Sequence, residues 1–173
     1  PTIKRIYGDW TKPHLKKWKE VLLENAVTPI QQYSYTIGKN ATDSAMIIDA
    51  MDILYSNNID GFCLVSSDSD FTRLATRLRE SGKLVYGIGE KKTPNPFIAS
   101  CDKFIYLEIL KKENEEVVEG SVKGKQKFEK ITPQIRKLIV NTIKDLADDD
   151  GWAFMGEVGS LLQKKQPNFD PRN

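Results

Sequence analysis

Cysteine is nearly absent from these 173 residues: there are two, Cys63 and Cys101, in apolar surroundings and without the C-x-x-C spacing of a metal or redox site. One pair is too few to staple a chain of this length, so both read as reduced core residues. The single histidine, His14, reads as a helix-surface residue. No apolar run reaches about 18 residues and no charged, apolar and small-residue leader pattern opens the chain, so nothing points to a membrane span or to secretion, and a cytoplasmic location is expected. A strong charge imbalance is missing too. The 26 basic and 24 acidic residues leave a formal charge of +2, which excludes a globally basic nucleic-acid binder but not a locally basic groove.

What is present is an alternation of short apolar runs and helix-period segments. "IKRIY" (3–7) predicts a strand, and "KPHLKKWKEVLLENA" predicts a helix with Leu15, Trp18, Val21, Leu22 and Ala26 on one face. "TPIQQYSY" (28–35) is a second strand, and Asn40 opens a helix carrying Ala45, Ile48, Met51 and Ile53 to Tyr55. "GFCLVS" (61–66) is almost wholly apolar, as in a strand buried on both faces. A helix (71–81), a strand (84–88), a Pro-broken loop or short helix (93–101) and a strand (103–110) complete residues 1–110. Strands alternating with helices imply crossovers and a mostly parallel sheet with helices on both faces.

Residues 111–130, charged and poor in apolar side chains, predict a linker that leaves the C-terminal unit free to move as a tether. Thr132-Pro133 then opens a small helical module over 131–173, with Ile135, Leu138, Ile139 and Leu146 facing one way and a second amphipathic piece from Phe154 to Leu162.

The chemistry concentrates in "FCLVSSDSDFTRLATRLRE" (62–80), where Asp68 and Asp70 follow the most apolar strand. Ligands of open α/β sheets sit beyond the carboxyl ends of the strands, where this pair lies. Two carboxylates with no lysine or arginine between them repel, and a divalent cation removes the repulsion; hard oxygens suit Mg²⁺ or Mn²⁺. The competing use is capping of the helix that begins near Phe71. Asp43, in the first turn of its helix, aims a third carboxylate at the same rim, whereas Asp49 and Asp52 read as solvated-face charges. Asp9 and Asp102 are second-rank candidates near strand ends. An EF-hand beginning at Asp68 fails, since its twelfth position is Arg79. Asp68-Ser69-Asp70-Phe71-Thr72 also fits the D-x-D-x-T nucleophile motif of haloacid-dehalogenase-like phosphatases, although those carry it on their first strand. Gly87-x-Gly89 is too short to indicate a nucleotide fingerprint.

Taken together, "RIYGDW", "GKNATDSAMIIDAMD", "VSSDSDFTRLATRLRE" and "VYGIGEKKTP...FIASCDKFIYLE" resemble a NYN domain, the LabA-like branch of the PIN-type nucleases. "DDDGWAFMGEVGSLLQKKQPNFDPRN" resembles part of an OST-HTH (LOTUS) domain, a winged-helix-like module. The resemblance implies a PIN-like Rossmannoid sheet and metal-dependent hydrolysis of RNA by Asp43, Asp68 and Asp70 around Mg²⁺ or Mn²⁺. Family members open with a strand bearing an h-h-h-D-x-x-N aspartate, and here that first strand is expected to be missing from the sequence. Lys39, Arg73, Lys91 and Lys92 would bind RNA phosphates, whereas Trp10 and Tyr35 read as core packing, with stacking on bases as the alternative. An RNA-binding protein with a weak or inactive nuclease fold is the alternative. A homo-oligomer or a protein partner at the C-terminal module is left open.

Overall fold

The computed structural model describes residues 2–33, 41–56, 58–110 and 131–169. The chain divides into two units, Pro1–Ile59 and Asp60–Asn173. In the first, β1 (Arg5–Gly8) pairs in parallel with β2 (Thr28–Gln31), setting Arg5 opposite Thr28 and Gly8 opposite Gln31. The connection is not the single amphipathic helix that the apolar spacing predicts. Pro13–Leu15 forms a 3-10 turn, and α1 runs only from Trp18 to Glu24. The tighter turn winds three residues per revolution, so Leu15 falls out of phase with the helix behind it. Leu22 alone of that stripe is buried, while Trp18 and Val21 remain about half exposed. Where α1 ends, the Val27 amide donates to the Leu22 carbonyl (2.9 Å) and the Ala26 amide to the Leu23 carbonyl (3.2 Å), with Ala26 at φ +50°. This is the paired closure that a left-handed residue makes at a helix end, a position that favours glycine. The long α2 (Ala41–Ser56) follows and buries Ala50 and Leu54.

In the second unit, β3 (Gly61–Val65), β4 (Leu84–Gly89) and β5 (Lys103–Tyr106) form a parallel sheet in that order. α3 (Thr72–Glu80) and α4 (Asn95–Ser100) supply the crossovers. The pleat sends Leu64, Val85 and Phe104 to one face, all buried, and the core there is aromatic: the Phe71 and Phe97 rings lie 6.5 Å apart and those of Phe97 and Phe104 6.0 Å. Gly87 is required at its site, because a Cβ would stand 2.4 Å from the Phe104 ring and 2.8 Å from the Cys101 sulfur.

Among the described residues the parallel strands pair as β1–β2 in the first unit and β3–β4–β5 in the second. Two expectations are corrected here. β3 is not buried on both faces: Leu64 is, but Val65 is 62% exposed. The last strand stops at Tyr106, and residues 107–110 turn into a helix.

The C-terminal part begins where Thr132 and Pro133 predict. The Thr132 hydroxyl accepts from the Ile135 amide (3.3 Å) and caps α5 (Pro133–Leu146). α6 (Met155–Lys165) packs against it, joined by the Lys165 ammonium on the Asp145 carboxylate. Beyond α6 the chain meets the sheet. The Phe104 amide donates to the Pro167 carbonyl (2.8 Å), and the Asn168 side-chain amide donates to the Tyr106 hydroxyl (2.7 Å). This seam holds Pro167 and Asn168 to β5, where a free tether was expected. The predicted linker, 111–130, lies outside the described residues.

Candidate active site and nucleic-acid surface

The carboxyl edge of the three-stranded sheet is a set of interlocked turns. After β3, the Ser66 amide donates to the Ile88 carbonyl (2.9 Å) and the Ser67 hydroxyl accepts from the Glu90 amide (2.9 Å), which ties the first turn to the end of β4. Ser67 was a candidate cap of the helix near Phe71, but its hydroxyl is used to tie this turn to the residue after β4. Gly89 packs beneath, and a Cβ there would meet the Ser66 carbonyl at 2.5 Å.

On this base stand the two aspartates. Asp68 is extended (φ −91°, ψ 131°) and caps the 3-10 turn Ser69–Phe71: its Oδ1 accepts from the Asp70 amide (2.9 Å), while its own amide donates to the Ser66 hydroxyl (3.1 Å). Both side chains are exposed. The capping use is therefore realised at Asp68. It occupies one carboxylate oxygen and fixes the direction of the other, so capping and cation binding are compatible at this residue.

Asp43 lies in the first turn of α2, as predicted, but within the first unit, whereas Asp68 and Asp70 belong to the second. Within neither unit do three His, Cys, Asp or Glu side chains gather into a metal-holding group among the described residues. Asp49 is not a solvated-face charge. It accepts from the Arg5 guanidinium and the Tyr7 hydroxyl, joining α2 to β1. Burial pushes its carboxyl up, but those two hydrogen bonds and the Arg5 charge outweigh it and hold Asp49 below the usual carboxylate range. The same environment, burial first and the Asp49 hydrogen bond second, raises Tyr7.

The second-rank aspartates do structural work. Asp9 accepts from the Thr11 hydroxyl (2.6 Å) and the Gln31 amide group (3.0 Å), which lower its pKa. Asp102 accepts from the Val85 amide (2.8 Å) and pairs with Arg79 (3.0 Å). Of the predicted phosphate contacts, Arg73 is exposed in the first turn of α3 and Lys91 is exposed beyond β4, its amide donating to the Glu108 carboxylate (3.0 Å). The Lys92 ammonium already pairs with Glu90 (2.6 Å). Lys39 and Tyr35 lie outside the described residues. Trp10 packs rather than stacks: it is half-buried, with its indole N–H donating to the Ile30 carbonyl (3.0 Å).

Parallel strands, crossover helices and an acidic turn at the carboxyl edge of β3 are the features that the sequence motifs share with one family. Residues 1–108 match the NYN domain. The chain belongs to the NYN domain family. Its C-terminal residues 126–173 match the OST-HTH/LOTUS domain, which covers both α5 and α6. A NYN domain is a nuclease-type fold, and OST-HTH is an RNA-binding module. No curated protein matches the chain. Among the described residues, no helix is long and apolar enough to cross a membrane.

Proposed function

We propose that this NYN protein is a metal-dependent ribonuclease that hydrolyses RNA phosphodiester bonds, with its OST-HTH module holding the RNA. The observation that carries the reading is the exposed Asp68–Asp70 turn at the carboxyl edge of a NYN sheet. Two hard-oxygen donors on a rigid turn suit Mg²⁺ or Mn²⁺, which keep several waters and take only one or two carboxylates from a protein. Asp68 and Asp70 would hold the ion. When bound, the ion would supply an activated water and neutralise charge on the phosphate. The chain itself contributes position. The Ser66 and Ser67 hydrogen bonds fix the turn, and Arg73 and Lys91 offer cations to the flanking phosphates.

Cleavage of a labelled RNA that requires Mg²⁺ or Mn²⁺ and disappears in Asp68→Asn is the expected result. A melting temperature that rises with millimolar Mn²⁺ in the unmodified protein, but rises much less in Asp68→Asn, would report the ion independently of turnover. Cation-independent RNA binding without cleavage would favour the second reading, an RNA-binding protein with an inactive nuclease fold. A covalent aspartyl-phosphate trapped on Asp68 would overturn both in favour of a phosphatase. A protein partner of the C-terminal module would meet Trp152, Phe154 and Met155, which are 79%, 74% and 83% exposed.

A further inference from the structure

The register that buries one face of the three-stranded sheet leaves the other open. Cys63, Tyr86 and Lys103 stand in one row across it, and Val65, Ile88 and Ile105 in the next row toward the carboxyl edge. Ser160, Gln163 and Lys164 of α6 face these rows across a cleft of about 630 Å³. The walls are held in place, since the seam of Phe104 with Pro167 and Tyr106 with Asn168 ties the end of α6 to β5.

We propose that this cleft binds single-stranded RNA, with a base stacked on Tyr86 and phosphates on Lys103 and Lys164. The assignment rests on the RNA-binding reading above and gives it a location. Tyr86 is 41% exposed, so its ring is open to a ligand. Among the described residues, no hydrogen bond or ion pair engages Tyr86, Lys103, Gln163 or Lys164 side chains. Asp102, the one acid among the described residues that line the cleft, is already paired with Arg79, so the unpaired charge of that lining is positive. Ile88 and Ile105 form an apolar floor. Cations beside an aromatic ring on an apolar floor suit unstacked bases on a charged backbone. A duplex hides its bases, and protein interfaces are depleted in lysine at their centres. The Val65 row continues directly into Ser66–Asp70, so a strand lying along the cleft runs toward the acidic turn.

Cys63 makes the proposal testable with a native probe. It is exposed within the cleft, whereas Cys101 is buried and serves as an internal reference. In EDTA, a fluorescein-labelled 12-mer of uridylate should bind the full chain and slow thiol modification of Cys63 about fivefold or more while leaving Cys101 unchanged. Tyr86→Leu should weaken binding roughly fivefold or more. Lys103→Glu with Lys164→Glu should weaken it over tenfold and flatten the log–log salt dependence by about 1.4, two contacts at about 0.7 each for single strands. Circular dichroism identifies any variant that has unfolded, and for such a variant Cys63 protection in the unmodified protein decides. Bound RNA that leaves Cys63 unprotected, or affinity indifferent to Tyr86→Leu, would overturn the cleft while sparing the RNA reading. No RNA binding by the unmodified protein would overturn that reading itself.

Discussion

Asp68 is held by two hydrogen bonds that a neutral isostere can largely keep, and this separates its structural use from its proposed chemistry. Asparagine accepts from the Asp70 amide as well as aspartate does, so Asp68→Asn should leave thermal stability nearly unchanged while abolishing cation-dependent cleavage. Asp68→Ala removes the cap and should cost about 0.5–2 kcal/mol in urea melts. Asp49 is the opposite case, a carboxylate whose work is folding. Its folded pKa lies below the unfolded one, so its ionised form stabilises the native state above about pH 4, and that contribution is lost as the pH falls through the lower folded value. Asp49→Asn should therefore be less stable than the unmodified protein at pH 7. The gap should close as the pH falls below the ordinary carboxylate range, which urea midpoints at several pH values would follow. The pairing with Arg5 and Tyr7 could not be anticipated from spacing, because the partners lie 44 and 42 residues away and the helix pattern gives only a face.

Elements were legible in type and much less so in their limits. The parallel strands and the helices between them followed from alternating periods, and the Thr132-Pro133 start of α5 from its cap. The failures share a cause: a pattern reports which residues could be buried, and the tertiary neighbours decide which are. The apolar residues of β3 predicted burial on both faces, yet the Cys63 and Val65 side lines an open cleft, where Tyr86 and Lys103 were not singled out. At α1, the 3-10 turn Pro13–Leu15 broke the phase of the stripe. Two substitutions test these elements. Ala26 holds a left-handed conformation at the end of α1, so Ala26→Gly should stabilise the protein by about 0.5–1 kcal/mol. Gly87→Ala pushes a methyl into the Phe104 ring and should cost about 1–3 kcal/mol, both read from denaturant midpoints.

For the whole molecule, the C-terminal module is a working part of the sheet's edge rather than a distant appendage. The exposed β5 edge would otherwise present an unpaired amide at Phe104, which the Pro167 carbonyl satisfies. Hydrogen exchange should find the Phe104 amide protected in the full chain and much faster after removal of residues 131–173. Equal rates in the two proteins would mean that the seam does not persist in solution. The linker composition between 111 and 130 pointed to independence because it carries no apolar period, and the contact that fastens the module lies beyond it, in the short polar stretch after α6.

The seam also has a schedule. The partner of Phe104 is encoded 63 residues later, at Pro167. A ribosome adding about 5–20 residues per second reaches it roughly 3–13 s after the edge has been made. During that interval β5 is a strand with one side open, and on a crowded polysome its nearest candidates for pairing are identical strands on neighbouring nascent chains. Slow translation across the stretch between the two halves would lengthen this exposure, while a chaperone that shields strand edges would shorten it. Yield in a cell should thus depend on synonymous codon choice between residues 107 and 167, although the finished protein would be the same.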